Sequence, residues 1–440
     1  MPLFGRKRHG HAAAASAYAP LPTPPQPRSD GLRSLEAHRD YLLRCVSELP
    51  PFGQQLLDAL GLSICEDVVS PINLPRFENS AMDGYAVRAA DVAEATADHP
   101  VSLPVVGEIA AGQSAAHRLS PHTAMKIMTG APVPAGADAV VAYENTDRGV
   151  SDVRVYAASS VDQHIRHVGE DVRTGDQLIS RGHRLGVGDL GVLAAIGRDK
   201  VMVRPRPRVA IIATGSELVD PGLSLDSADQ IYDSNSYLVA AAARSAGAQI
   251  FRIGHVVDDP AAVKQLISDQ LVRADLILTT GGVSQGDYDI VKQVMPELGA
   301  CEFTSVAMQP GKPQGFGLIG DDRTPMIMLP GNPVSAFVSF EAFVRPIIRK
   351  LMGSEPHARR PVTCRTTAEI TSIPGRTQLA RGMVTEAADG RRQVELIGGH
   401  GSHLLGNLAK ANALVVLPAE TERVLAGAQV EAWLLDEPEN

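Results

Sequence analysis

The sequence predicts an α/β-plus-β protein of several domains. These are a doubly wound α/β domain, a β-rich inserted domain, a small helical domain and a C-terminal β barrel or sandwich. Three observations predict it. Residues 206–353 alternate short Ile/Val-rich runs with helical segments, the pattern of parallel strands joined by crossover helices. Residues 71–164 and 354–440 instead carry short apolar runs separated by Gly and Pro turns, a β-rich pattern. The length of 440 residues, at roughly 150 per domain, allows about three domains.

Residues 1–30 are Ala-rich and then carry Pro20, Pro22, Pro24, Pro25 and Pro27, a composition that predicts a disordered arm. Helical spacing follows at Leu35, Leu42, Leu43 and Val46, and a second apolar-periodic piece spans 56–69. A helix at 190–196 packed back on these makes 31–70 and 165–205 a helical linker domain, with 71–164 inserted in it. In 206–353, strands are expected at 209–213, 250–257, 276–280, 303–307 and 326–329, with helices at 237–246, 261–272, 290–298 and 333–351. Ligands of such sheets bind beyond the carboxyl ends of the strands.

Composition narrows the function. With 41 Lys+Arg against 50 Asp+Glu, the net charge of −9 argues against a nucleic-acid partner. No apolar run reaches the ~18 residues that span a bilayer, so no membrane partner is expected. Four scattered cysteines suit neither a disulfide framework nor a zinc site and point to a reducing, cytoplasmic setting. His164 and His167 with Glu170 and Asp171 have metal-like spacing, but in a chain with 13 histidines they are read as solvated.

Four strings fall at the carboxyl edge of the predicted sheet. Gly281, Gly282 and Ser284 follow one strand, where paired glycines turn backbone N–H groups toward one point; Asp289 sits close by. Gln309-Pro310-Gly311-Lys312-Pro313 presets a single ammonium between two prolines. Pro330-Gly331-Asn332-Pro333 opens a helix whose free first-turn N–H groups, with the Ser335 hydroxyl, suit an anion. Glu217 of Thr214-Gly215-Ser216-Glu217 joins Asp258 and Asp289 on the same edge, carboxylates able to hold a divalent cation against phosphates. Each string also reads locally as a turn or a cap; their convergence is what suggests a site for a phosphate-bearing ligand.

Together with NSAMDGYAVR (79–88), IMTGAPVPAGADAVV (127–141), GED (169–171), IYDSN (231–235) and DDP (258–260), these strings resemble the molybdopterin molybdenumtransferases. This is the MoeA family, which includes the E domain of gephyrin, and the resemblance covers residues 32–440. It implies an elongated four-domain subunit with a MogA-like domain at 206–353, and a homodimer whose active cleft is shared between subunits. Asp83, Thr129 and Asp171 match cleft positions, and Glu217, Asp258 and Asp289 match acidic positions for metal or ligand. Lys312 and Ser335 match the oxyanion site, which Ser402 with Arg376 or Arg381 would complete.

The reaction implied is insertion of molybdenum from molybdate into adenylylated molybdopterin, with Mg²⁺ assisting and AMP leaving. Contact with other molybdenum cofactor biosynthesis proteins is implied as well. Three positions depart from the family pattern: Gln309 and Ser305 stand for lysines, and Ser216 stands for an aspartate. Two alternatives stay open: a paralogue with reduced activity that binds a pterin or acts as a scaffold, and a MogA-like molybdopterin adenylyltransferase.

Overall fold

A computed structural model describes residues 18–112, 118–256, 259–281, 290–399 and 401–435. The chain divides into two compact units, one of residues 53–203 and one of the residues up to 52 together with 204 onward.

The 53–203 unit centres on a five-stranded sheet in the order Ala139–Ala142, Gly84–Val87, Ala124–Ile127, Val101–Ile109, Asp152–Val155. Successive residues of a strand point to opposite faces. Tyr85 and Val87 enter one core with Leu103, Val141 and Val155, while Ala86 enters another with Met125, Ile127 and Val140. Burial on both faces explains why Gly84–Val87 and Ala139–Ala142 read as continuous apolar runs, whereas Asp152–Val155 at the edge alternates exposed and buried residues.

A helix does form at Val187–Ala195. The 56–69 piece, expected as apolar-periodic, holds only a single 3₁₀ turn, Leu57–Ala59, between the strands Phe52–Gln55 and Val68–Val69. Gly61, at φ 76°, reverses the chain there, and Gly61 and Leu185 exchange bonds with the neighbouring turn (Gly61 N–H to Leu185 O, 2.8 Å; Leu185 N–H to Leu62 O, 3.0 Å). The first helix belongs to the other unit.

That first helix, α1 (Leu35–Cys45), is started by Ser34, whose Oγ accepts from the Ala37 N–H at 3.1 Å. It buries Leu35, His38, Tyr41 and Leu42, with the Tyr41 ring edge-on to Phe316 and His38 edge-on to Phe343. The α/β domain follows with strands β1 (Arg208–Thr214), β2 (Gln249–Val256), β3 (Leu276–Thr280), β4 (Gly299–Ser305), β5 (Pro313–Ile319) and β6 (Thr324–Leu329). Its helices are α2 (Asn235–Ser245), α3 (Pro260–Gln270), α4 (Ile290–Leu298), α5 (Pro333–Ser339) and α6 (Arg345–Leu351). The sheet order is β2-β1-β3-β6-β5-β4. The first four strands are parallel, and β5 and β4 add on antiparallel. Ile212, Ile277 and Met328 pack with Val263 and Ile267 of α3 and Val291 and Met295 of α4.

Two details differ from the wholly parallel pattern expected. Strand β5 was masked by its glycines, which are there for space: a Cβ at Gly315 would lie 3.0 Å from the Met328 and Phe303 side chains, and one at Gly317 2.6 Å from Met295. The single helix expected over 333–351 is α5, a π-helical turn (Phe340–Val344) and α6. Pro346 has no N–H to continue the ordinary ladder, and the wider turn precedes it.

The C-terminal segment closes into a five-stranded barrel of β7 (Val362–Thr366), β8 (Thr377–Glu386), β9 (Arg392–Leu396), β10 (Ala413–Leu417) and β11 (Gln429–Leu434). The ring runs β8-β9-β7-β11-β10 and back to β8, around Cys364, Val394, Val415, Leu417 and Ala432. Closure leaves no edge along this ring. Met308–Gln309, just before the Lys312 loop, pairs in parallel with β8, so that loop is tied to the barrel.

Residues 18–30 of the expected disordered arm are placed. Arg323 donates to the carbonyls of Ala19 (2.7 Å) and Pro20 (3.1 Å), and Arg28 donates to that of Gly375 (3.3 Å). Prolines keep this segment extended, and arginines supply the donors that a paired strand would. Among the described residues, no helix is long and apolar enough to cross a membrane.

Candidate functional site

The carboxyl ends of β1, β3 and β6 surround a cavity of about 190 Å³ lined by Glu217, Asn235, Thr280, Gly281, Asn332 and Pro333 among others. The turn after β1 is tight. Gly215 has φ 150°, and a Cβ there would lie 2.6 Å from the Glu217 carboxylate, so glycine lets that side chain fold back over the turn. The Gly281 N–H is anchored to Leu329 O at 3.1 Å and is not free for a ligand. Asp258, Gly282, Ser284 and Asp289 lie outside the described residues.

The start of α2 forms the side wall. Asp233, fully buried, accepts from the Ser236 N–H at 3.0 Å and from its hydroxyl. Arg252 lies 3.8 Å from Asp233, pairs with Asp220 at 2.9 Å and stacks on Tyr237. Asn235 then reaches across to Gly331 O with its Nδ2, at 2.6 Å. Neither Asp233 nor Asn235 had been singled out from the sequence; the signal available was their place in the IYDSN string.

A second cavity, of about 270 Å³, lies between the α/β domain and the barrel, lined by Gln309, Pro310, Val334, Gln378, Arg381 and Gly399 among others. Arg381 is buried without a carboxylate. It donates to Gly401 O at 3.0 Å and to Gly399 O, and its Nε has no partner among the described residues. Burial pulls its pKa below the ordinary arginine value. Arg376 donates to Gln309 Oε1 at 3.3 Å, which puts a guanidinium beside the position that departs from the family's lysine. Pro330 is buried at the end of β6.

The two cavities meet at the first turn of α5: one is lined by Asn332 and Pro333, the other by Val334. The Val334 N–H is taken by Ser402 O at 3.1 Å, and Ser335 is buried. The expectation of free first-turn N–H groups there is therefore corrected for Val334. Lys312 is half-buried on a loop fixed from two sides. The Val306 N–H donates to Lys312 O at 2.8 Å. The buried Gln314 donates to Gly311 O at 2.6 Å and to Ser339 Oγ at 2.7 Å. Gly311 has φ 97°, and a Cβ there would lie 2.6 Å from Ser339 Oγ.

The remaining candidates lie in the 53–203 unit. Thr129 donates its N–H (2.7 Å) and its hydroxyl (2.8 Å) to Asp83 Oδ1, and these bonds hold the Asp83 carboxyl below the usual range. Asp171 is on a separate exposed turn, its N–H bonded to Leu74 O at 3.1 Å. His167 is half-exposed and paired: its Nδ1 lies 3.2 Å from Glu78, which raises its pKa.

A doubly wound sheet with an acidic cavity at its carboxyl rim defines a class: α/β ligand-binding domains, here extended by a barrel that brings buried arginine. The sequence matches the MoeA N-terminal region (domain I and II) over residues 33–197, the probable molybdopterin binding domain over 210–350, and the MoeA C-terminal region (domain IV) over 363–435. Molybdopterin molybdenumtransferase 1 of Mycobacterium tuberculosis is 40% identical over 423 residues, 92% of this chain and 99% of that one. Molybdopterin molybdenumtransferase 2 of the same organism is 43% identical over 408 residues, 91% of this chain and 99% of that one. A solved molybdopterin biosynthesis MoeA protein from Pyrococcus horikoshii superposes with TM-score 0.76 at 30% identity, covering 92% of this chain and 100% of that one. The chain belongs to the MoeA family of molybdopterin molybdenumtransferases.

Proposed function

We propose that this protein transfers molybdenum from molybdate to adenylylated molybdopterin with release of AMP, as a cytoplasmic step of molybdenum cofactor biosynthesis. The observation that carries the reading is the meeting, at the start of α5, of an acidic cavity with one that holds the buried Arg381. The acidic one suits the pterin nucleotide; the other, lined by Arg381 and by Gln309 and Pro310 of the Lys312 loop, with Arg376 bonded to Gln309 and Glu369 paired to Arg423, suits an oxyanion. Fixed groups of this kind stabilise charge without reorganising during the reaction. Two anions held side by side exchange ligands as if within one molecule.

Among the described residues, no three His, Cys, Asp or Glu side chains gather as a metal cluster. The donor set still suits Mg²⁺, which takes one or two carboxylates plus substrate phosphates. Glu217 would hold it, with Asp258 and Asp289 in the same role. When bound, the ion neutralises charge developing on the phosphates.

The test is AMP release from adenylylated molybdopterin by the purified protein. Release should require molybdate, and Glu217→Ala should lower kcat/KM by roughly 100-fold, the scale of losing one charge-stabilising group. ATP-dependent formation of the adenylylated pterin, with no molybdate effect on its consumption, would instead assign an adenylyltransferase.

The 53–203 unit is proposed to act in a homodimer, its Asp83, Thr129 and Asp171 completing the cleft of the other copy. Co-expressed Asp83→Ala and Glu217→Ala chains should then regain about a quarter of wild-type activity, since half the dimers are mixed and each mixed dimer has one intact cleft. Recovery no greater than the sum of the two variants alone would place both residues in one subunit's site. Contacts with other biosynthetic proteins belong to the same proposal.

A further inference from the structure

We infer that Asn235 selects for an N–H donor on the pyrimidine edge of the fused heterocycle held at the carboxyl rim. The inference rests on the reading of that rim as the pterin-nucleotide site and deepens it.

The orientation of the amide is fixed by its own hydrogen bond. Only the nitrogen of an amide can donate to a carbonyl, so the 2.6 Å bond to Gly331 O identifies Nδ2 and leaves Oδ1 as the other end. That Oδ1 is buried and, among the described residues, has no partner. Buried polar atoms of native proteins are nearly always paired, and an orphan asks for an explanation. The residue lines the acidic cavity, so a ligand in that cavity can supply the missing donor. The side chain is well placed to select, because it starts a helix whose preceding turn is locked by the buried Asp233 and its bonds to Ser236.

The surroundings decide the kind of ligand atom. Glu217 shares the cavity wall and adds a carboxylate acceptor, while the Thr280 and Gly331 carbonyls are engaged by Thr214 and by Asn235 itself. A carboxylate in the same wall disfavours bare phosphate, which brings only acceptors and negative charge and approaches Glu217 only with a cation between. The pair of Asn235 Oδ1 and Glu217 favours an exocyclic amine, as adenine carries in its 6-amino group and pterin in its 2-amino group. These two sources share one chemistry, and the experiment separates them.

Binding to the full-length protein is measured by calorimetry for AMP and for 6-hydroxymethylpterin. Each is paired with its analogue lacking the amine, purine riboside 5′-monophosphate and 6-hydroxymethylpteridin-4-one. Asn235→Ala should weaken the amine-bearing ligand about tenfold and change its amine-free analogue less than twofold. A loss in the AMP pair assigns the adenine edge; a loss in the pterin pair assigns the pterin edge. Equal affinity of wild type and variant for both amine-bearing ligands would overturn the inference while leaving the rim site standing. Disappearance of the difference in EDTA would make Asn235 a metal ligand and also overturn it. Should wild type bind none of the four probes, the rim reading fails and the inference with it. If Asn235→Ala does not fold, wild-type preference for an amine-bearing ligand over its analogue, with Asn235→Asp retaining that preference, tests the same point.

Discussion

Lys312→Ala is expected to raise the molybdate concentration for half-maximal turnover by roughly 10- to 150-fold, the loss of one hydrogen bond to a charged group. AMP affinity should stay within about twofold, because the acidic cavity that suits the nucleotide is lined from other strand ends. The split follows from how the loop is built. The Lys312 carbonyl is held by Val306, and Gly311 is held by Gln314, which also binds Ser339 of α5. The backbone is thus fixed before any anion arrives, and truncating the side chain removes the ammonium without releasing the loop. Gln314→Leu makes the complementary change: the ammonium stays and its anchor goes. It should also raise the molybdate requirement, and Gln314→Glu should rescue poorly because a carboxylate cannot donate to Gly311 O. Equal loss of AMP and molybdate binding in Lys312→Ala would mean that one shared site, not two, meets at α5.

Much of this arrangement was legible from residue order. Strands β1, β3 and β6 are continuous Ile/Val/Leu/Met runs ending in Thr-Gly, Thr-Thr-Gly and Leu-Pro-Gly, and a doubly wound sheet places ligands at those ends. What was not legible had a physical cause. Strand β5 packs so closely on its neighbours that it needs Gly315 and Gly317, and glycine-rich sequence looks like turn. The 56–69 piece has helical spacing, but Gly61 and long-range pairing to 183–185 override it. The ring partners of α1, Phe316 and Phe343, lie 275 and 305 residues beyond Tyr41 and His38, a separation that no local pattern reports.

The site divides the same way. Glu217 and Lys312 could be named because each sits alone on a loop with fixed backbone. Arg381 could be paired with Arg376 only as an alternative, since nothing local says which of the two is buried. The structure separates them: Arg381 lines the cavity between domain and barrel, and Arg376 reaches Gln309. Ser402 matters through its backbone carbonyl on Val334, which no side-chain motif reports.

Acid should destabilise the unit containing α1, and His38 should account for a measurable share of the loss. His38 is 2% exposed, lies between Tyr41 and Phe343, and its Nδ1 has no partner among the described residues. Burial, reinforced by the Arg33 guanidinium, lowers its pKa from 6.5 to about 3. The folded state therefore holds a neutral imidazole, while the unfolded chain takes up a proton below about pH 6.5. The sign follows: the contribution is complete above the unfolded value and is lost as pH falls from there toward the folded one. At about 1.4 kcal/mol per pH unit, the loss reaches roughly 3 kcal/mol by pH 4. His38→Leu removes the titration and keeps an apolar side chain against Phe343. Urea unfolding followed by circular dichroism at pH 7, 5.5 and 4 should give a variant whose stability falls less steeply than wild type over that window. Carboxylates titrating in both proteins cancel in the comparison. Parallel curves would mean that the imidazole is hydrated or paired in the folded state and that its burial sets no pH limit on this unit.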